Sequence, residues 1–117
     1  RIQIPWNLTM KHRACLGECA NAYSLGKIDI QEGATIAQEA YLCTGTHDFN
    51  DPSLQLITKP ITVGKNAFIG ARAMILPGVC IGDRVIVGAM SLVSKDVPDH
   101  QIVAGNPAQK IGERTTS

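Results

Sequence analysis

Val63-Gly64-Lys65-Asn66-Ala67-Phe68, Ile69-Gly70-Ala71-Arg72-Ala73-Met74 and Ile75-Leu76-Pro77-Gly78-Val79-Cys80 follow one another without a gap. Each unit opens on an aliphatic residue. The beat continues through Ile81, Val87 and Val93, and Ile57 extends it backward. Four places after each of these stands a small or β-branched residue: Ile61, Ala67, Ala73, Val79, Val85, Ser91 and Val97. A helix cannot use this spacing, because residues six apart are about 120° out of alignment on it. A short strand followed by a corner can. Three such units close a triangular coil, and each inward aliphatic residue then rests on its counterpart in the next coil. No unit buries its own face alone, so stability comes from neighbours.

Corners need residues that tolerate unusual backbone angles. Gly64, Gly70, Gly82 and Gly88 each follow an aliphatic position, and Pro77-Gly78 occupies another corner, so these are the expected turn formers. Asn66, Lys65 and Asp83 fit the solvent side. The first half keeps the beat more loosely. Ile4, Met10, Leu16, Ala22 and Ile28 share one phase; Ile30, Ile36 and Leu42 share another. A two-residue slip near Leu25-Gly26-Lys27 separates them. Between Leu42 and Ile57 the count is broken again, which predicts an extruded loop near residues 47–56, where His47-Asp48-Phe49-Asn50-Asp51-Pro52-Ser53 is rich in turn formers. The fold class expected is all-β: one parallel β-helix domain over residues 1–117.

With 117 residues and a net charge of +1, the chain lacks the basic surplus of a nucleic-acid binder. Two Phe, two Tyr and one Trp also leave little for base stacking. No apolar run approaches membrane-spanning length, so no membrane insertion is expected. Cys15, Cys19, Cys43 and Cys80 are expected as reduced thiols filling small positions of the solenoid, in a cytoplasmic protein. Cys15 and Cys19 have no second close pair to complete a metal site, and His12, His47 and His100 are widely spaced, so no metal is expected.

The units resemble those of the hexapeptide-repeat acyltransferases, whose fold is a left-handed parallel β-helix; handedness is implied by the resemblance, not by the spacing. Three segments sharpen the likeness. Tyr41-Leu42-Cys43-Thr44-Gly45-Thr46-His47-Asp48 resembles the active-site segment of the sugar O-acetyltransferases of that family, where the matching histidine is the general base. Val103-Ala104-Gly105-Asn106-Pro107-Ala108-Gln109-Lys110-Ile111 resembles their closing segment, a short C-terminal extension beside bound coenzyme A. Cys19-Ala20-Asn21-Ala22-Tyr23 resembles the acceptor-facing strip of galactoside and maltose acetyltransferases. Within the group the chain is most similar to the colanic acid biosynthesis acetyltransferase branch, which modifies exopolysaccharide precursors. Members of that branch carry a further N-terminal segment, expected to be missing before Arg1.

The resemblance implies an acetyl-CoA-dependent O-acetyltransferase acting on a sugar or exopolysaccharide precursor hydroxyl. His47 would be the catalytic base. Ala71, Ala89, Ser94 and Lys95 would border coenzyme A. Where the family places phosphate-binding arginines, this chain has Gln109 and Gly112; Lys110 or Arg114 would supply the charge instead. Asn21 would hydrogen-bond the sugar. The family's homotrimers imply active sites between subunits. The chemistry suits these residues: a sugar hydroxyl is a poor nucleophile, and a neutral imidazole, with an ordinary pKa of about 6.5, can take its proton as it attacks a thioester. A backbone N–H at a corner is the expected oxyanion donor. The partner of the second ring nitrogen is open, Asp48 being adjacent. His12 and His100 are expected to be solvated. N-acetylation of an amino sugar or xenobiotic, a zinc lyase on the same scaffold, and a non-catalytic β-helix are the competing readings.

Overall fold

The computed structural model describes residues 5–115. After a 3-10 turn at Pro5–Asn7, the chain is built from short strands on the walls of a triangular prism 47 × 28 × 21 Å. The first wall stacks β1 (Leu8–Met10), β4 (Ile28–Ile30), β9 (Ile61–Val63) and β12 (Cys80–Ile81) in parallel. The second stacks β2 (Cys15–Leu16), β5 (Thr35–Ile36), β10 (Phe68–Ile69), β13 (Ile86–Val87) and β15 (Gln101–Gly105). The third stacks β3 (Asn21–Tyr23), β6 (Tyr41–Cys43), β11 (Met74–Ile75) and β14 (Leu92–Val93). The coils wind as a left-handed parallel β-helix. β16 (Ala108–Glu113) returns antiparallel on β15 and ends the parallel stacking. Among the described residues no helix is long and apolar enough to cross a membrane.

Register explains both interruptions. Ile81 lies on Val63, eighteen residues apart, which is one regular coil. Ile30 lies on Met10, twenty apart, and Val63 on Ile30, thirty-three apart. The two extra residues fall between Ala22 and Ile28, at the predicted slip near Leu25-Gly26-Lys27, so Ile28 lies on Leu8 and does not share the phase of Met10, Leu16 and Ala22 as expected. The fifteen extra residues fall between Leu42 and Ile61, where β7 (Gly45–His47) and β8 (Leu56–Thr58) form an antiparallel hairpin outside the prism. The excursion thus begins two residues before the expected loop and ends two after it. Ile57 belongs to this hairpin, half-exposed, and not to the core series; Ile61 resumes it. Ile4 lies outside the described residues.

Val63, Ile69, Ile75, Ile81, Val87 and Val93 are all buried, as are Ile61, Ala67, Ala73, Val79, Val85, Ser91 and Val97. Ile30, Ile36 and Leu42 continue the ladders, each fully buried. Burying one such side chain stabilises by roughly 1.5–3 kcal/mol. Met10 is 36% exposed and Leu16 half-buried, so the first coil covers its inward residues less well.

The corners overturn one expectation. Gly64, Gly70, Gly82 and Gly88 do not have positive φ. The left-handed residues come two places later: Asn66 (φ 55°), Arg72 (59°), Arg84 (58°) and Met90 (61°), with Arg13, Cys19, Gly33, Glu39 and His100 in the same columns. There the N–H turns along the prism axis to a carbonyl of the adjacent coil: Asn66 to Glu32, Arg72 to Gln38, Arg84 to Lys65, Met90 to Ala71, at 2.8–3.1 Å. Those bonds offset the cost of about 1–2 kcal/mol that the left-handed conformation imposes on a residue with a Cβ. The glycines serve closeness instead. A Cβ on Gly70 would lie 2.6 Å from the amide nitrogen of Ala89 in the next coil. Only Gly78 (φ +82°), at the predicted Pro77-Gly78 corner, is the glycine turn that the sequence suggests. The cysteines also sit differently: Cys15, Cys19 and Cys80 are exposed and Cys43 is half-buried, so none fills the core. They stand at outward positions of the strands and at a corner.

Candidate active site

The hairpin leaves the corner between the third and first walls, and its root is fixed by Thr44. This residue is fully buried. Its N–H and its hydroxyl both donate to the carbonyl of Tyr23, its hydroxyl accepts the N–H of Gly26 at 2.8 Å, and its carbonyl accepts the N–H of Lys59 at 2.9 Å. One side chain therefore ties the start of the hairpin to the two-residue slip in the coil before it. Just beyond, Gly45 faces the Tyr23 ring so closely that a Cβ there would stand 3.0 Å from it.

From that root the ladder pairs Gly45 with Thr58, Thr46 with Ile57 and His47 with Leu56. Residues 48–55 form a loop held by its own polar groups. Asp48 accepts the N–H of Asn50, and Asp51 accepts both the N–H and the hydroxyl of Ser53, each at 2.9 Å. The Ser53 bonds hold the Asp51 carboxyl below its ordinary 3.8. That support is complete above pH 3.8 and is lost as pH falls through the lowered value. The N–H of Leu54 donates to the Asp51 carbonyl at 2.8 Å, and Leu54 takes a left-handed φ of 53°.

This loop turns the Leu54 carbonyl onto His47, 2.8 Å from Nδ1. A carbonyl oxygen can only accept, so Nδ1 carries a proton, and in the neutral ring the lone pair is on Nε2. The orienting partner is thus a backbone carbonyl, and Asp48 caps its own loop instead. Sequence offered no signal for Leu54: a carbonyl has no letter, and its aim depends on a turn built by Asp51 and Ser53.

The other expected site residues flank the third wall. Ala71 and Ala89 stack along one of its edges, at successive corners. Ser94 and Lys95, both exposed, lie along the other edge, on the corner that the hairpin leaves two coils earlier. Asn21 is on the wall itself, in register with Tyr41, and its Oδ1 is buried without a hydrogen-bond partner among the described residues. Lys110 stands apart on β16, in an exposed ion pair with Glu113 at 2.9 Å, and that cation holds the Glu113 carboxyl below its ordinary value. Arg114 donates to the carbonyl of Asn66 at 2.7 Å. His12 and His100 are exposed at the corner between the first and second walls, away from the hairpin. A corner N–H was expected as oxyanion donor with no residue assigned; those of Arg72 and Met90 are already bonded to carbonyls of the adjacent coil. Among the described residues no three side chains of His, Cys, Asp or Glu gather to hold a metal.

Thr44 is the positional residue that sequence reading passed over. Thr44→Val keeps its shape and removes the hydroxyl, leaving the Gly26 N–H unpaired. We expect a loss of about 1–3 kcal/mol in stability, with Thr44→Ser near wild type, as read by urea denaturation of the two variants.

Residues 60–95 match the family model described as bacterial transferase hexapeptide (six repeats). The chain is 40% identical over 114 residues to the Escherichia coli (strain K12) protein WcaF, named as a colanic acid biosynthesis acetyltransferase; the match covers 97% of this chain and 63% of that protein. It superposes with a TM-score of 0.83 on a maltose O-acetyltransferase from Clostridium difficile 630, at 28% identity, over 99% of this chain and 64% of that one. With AntD from Bacillus cereus, an N-acyltransferase solved with dTDP-4-amino-4,6-dideoxyglucose and coenzyme A, the TM-score is 0.85 at 27% identity, over 93% of this chain and 64% of that one. The chain therefore spans a little under two thirds of the length of these relatives.

Proposed function

We propose that this chain, a hexapeptide-repeat left-handed β-helix related to bacterial sugar acetyltransferases, transfers the acetyl group of acetyl-CoA to a hydroxyl of a sugar or exopolysaccharide precursor. The observation that carries this reading is the bond between His47 Nδ1 and the Leu54 carbonyl, since it leaves Nε2 as a base. Nε2 takes the hydroxyl proton as the sugar oxygen attacks the thioester carbonyl. When the tetrahedral adduct collapses, the C–S bond breaks, the ester forms, and the imidazolium returns its proton to the departing thiolate. No acyl-enzyme is needed.

Ala71 and Ala89 give a small-residue edge along which a pantetheine arm can lie, and Ser94 and Lys95 line the opposite edge of the same wall; Lys95 forms no ion pair among the described residues. Lys110 is the weaker phosphate candidate, being paired with Glu113. Asn21 suits a sugar hydroxyl, because an unpaired buried carbonyl costs free energy until a donor reaches it. These groups lie on two edges of one wall, so a homotrimer with clefts between subunits would complete the site. Phe49 at the hairpin tip and Met90 at a corner, 80% and 72% exposed, are apolar surface that such packing would cover. The free cysteines fit a cytoplasmic site of action.

The likeness to AntD favours a second reading, N-acetylation of an amino sugar. Release of coenzyme A thiol, followed across paired hydroxyl and amino sugars, separates the two. Turnover confined to hydroxyl acceptors is expected; turnover confined to amines would replace the first reading with the second.

A further inference from the structure

The two places where the coil loses its eighteen-residue regularity meet in one cavity. It has a volume of about 260 Å3 and is lined by Asn7, Leu25, Gly26, Lys27, Thr58 and Pro60. Leu25, Gly26 and Lys27 come from the two-residue slip; Thr58 and Pro60 come from the returning leg of the hairpin. Asn7 closes the site by donating from Nδ2 to the carbonyls of Ser24 and Leu25, at 2.9 and 3.1 Å. No regular coil could make this cavity, and removing either interruption would erase it.

Its orientation ties it to His47. In an antiparallel ladder, opposed residues and residues two apart share a face. Gly45, His47, Leu56 and Thr58 are such a set. Thr58 stands diagonally across the ladder from His47, at the distance of about 7–8 Å typical of that relation. Thr58, which lines the cavity, is therefore on the ribbon face that carries the imidazole. The size lies below the roughly 300–1,000 Å3 of a drug-sized pocket, which suits one small ring and not an extended chain. Leu25 and Pro60 offer an apolar floor, and Thr58 a hydroxyl. Lys27 is exposed and makes no ion pair with a described carboxylate, Asp29 included.

We infer that this cavity is a subsite for an acidic group on the acceptor saccharide, with Lys27 as the specificity-determining cation; the inference rests on the sugar-acetylation reading above. The shared chemistry is a single ring bearing a negative charge, carboxylate or phosphate, on the side away from the hydroxyl that reaches His47. An exposed ammonium discriminates by only a few fold and is screened by salt.

Titration of the full chain with methyl β-glucuronide, glucose 1-phosphate and neutral methyl β-glucoside, followed by amide chemical shifts, tests this. An acidic probe is expected to shift Gly26, Lys27 and Thr58, and to bind about three- to fivefold more tightly than the neutral one at low salt. That preference should shrink as ionic strength rises, vanish in Lys27→Met and survive in Lys27→Arg. Response to the glucuronide alone identifies a uronic acid, response to the phosphate alone a glycosyl phosphate, and response to both the charge itself. Equal binding of acidic and neutral sugars overturns the inference, as does a preference that persists in Lys27→Met, shifts confined to Asn21 and Tyr41, or no binding. The readout needs no turnover. Acidic-sugar binding here without acetylation would leave the subsite and remove the reaction. Sugar acetylation blind to Lys27→Met would do the reverse.

Discussion

His47→Ala is expected to lower kcat by a factor of about 100 to 10,000, with acetyl-CoA binding and the melting temperature close to wild type. The size follows from what is lost: the proton of the attacking hydroxyl has no acceptor, and the remaining positioning contributes only to binding. The fold should survive because His47 is exposed, on a hairpin outside the prism. Its bond to the Leu54 carbonyl is a surface contact that water can replace. His47→Asn makes the test sharper. Its amide can still donate to the Leu54 carbonyl from nearly the position of Nδ1, yet it offers no basic nitrogen in place of Nε2. A base role requires His47→Asn to fall as far as His47→Ala. A merely orienting role would let it recover most of the rate. Wild-type turnover in His47→Asn, measured with the same acceptor, would remove the imidazole from the chemistry.

Sequence and structure part company in an instructive way at the corners and at the hairpin. The inward ladder was legible because a repeat states one physical requirement many times over. Ile69, Ile75 and Ile81 each answer to the same demand, a side chain pointing into a narrow core, and the period survives occasional errors. Even the breaks were legible, since a phase slip between Ala22 and Ile28 can only be absorbed outside the core. What the breaks contain was less so. Ile57 kept the beat by coincidence, because a β-hairpin also places aliphatic residues at alternate positions. His47 was singled out as the candidate base through resemblance, while the Leu54 carbonyl that meets its ring depends on tertiary aim. The glycines were placed at the corners for the wrong reason. Glycine serves two unlike needs, a positive φ and the absence of a Cβ, and a single letter does not separate them.

Gly64→Ala separates those needs. It is expected to destabilise the chain by at least about 3 kcal/mol, or about 10 °C or more in melting temperature. The added Cβ would sit 2.5 Å from the carbonyl carbon and oxygen of Gly82 and 2.6 Å from the amide nitrogen of Asp83. Carbon atoms prefer about 3.5–4.0 Å, and these neighbours are backbone, with no flexible tip to swing away. The coils must therefore part at this corner. Parting them strains the Gly64 N–H bond to the Ile81 carbonyl and the Lys65 N–H bond to Asp83, at 2.8 and 2.9 Å. Asn66→Gly, two residues on, is the counterpart. It relieves a left-handed Asn and adds freedom to the unfolded chain, two small effects of opposite sign, so its net change should stay within about 1 kcal/mol. Gly112→Ala, whose nearest neighbour would be a side-chain carbon 3.8 Å away, should be neutral. If the corner glycines mattered for φ, the order would invert: Gly64→Ala would be mild, and Asn66→Gly would stabilise strongly. Calorimetry of the three variants decides between a solenoid limited by the contact distance of its coils and one limited by the bending of its corners.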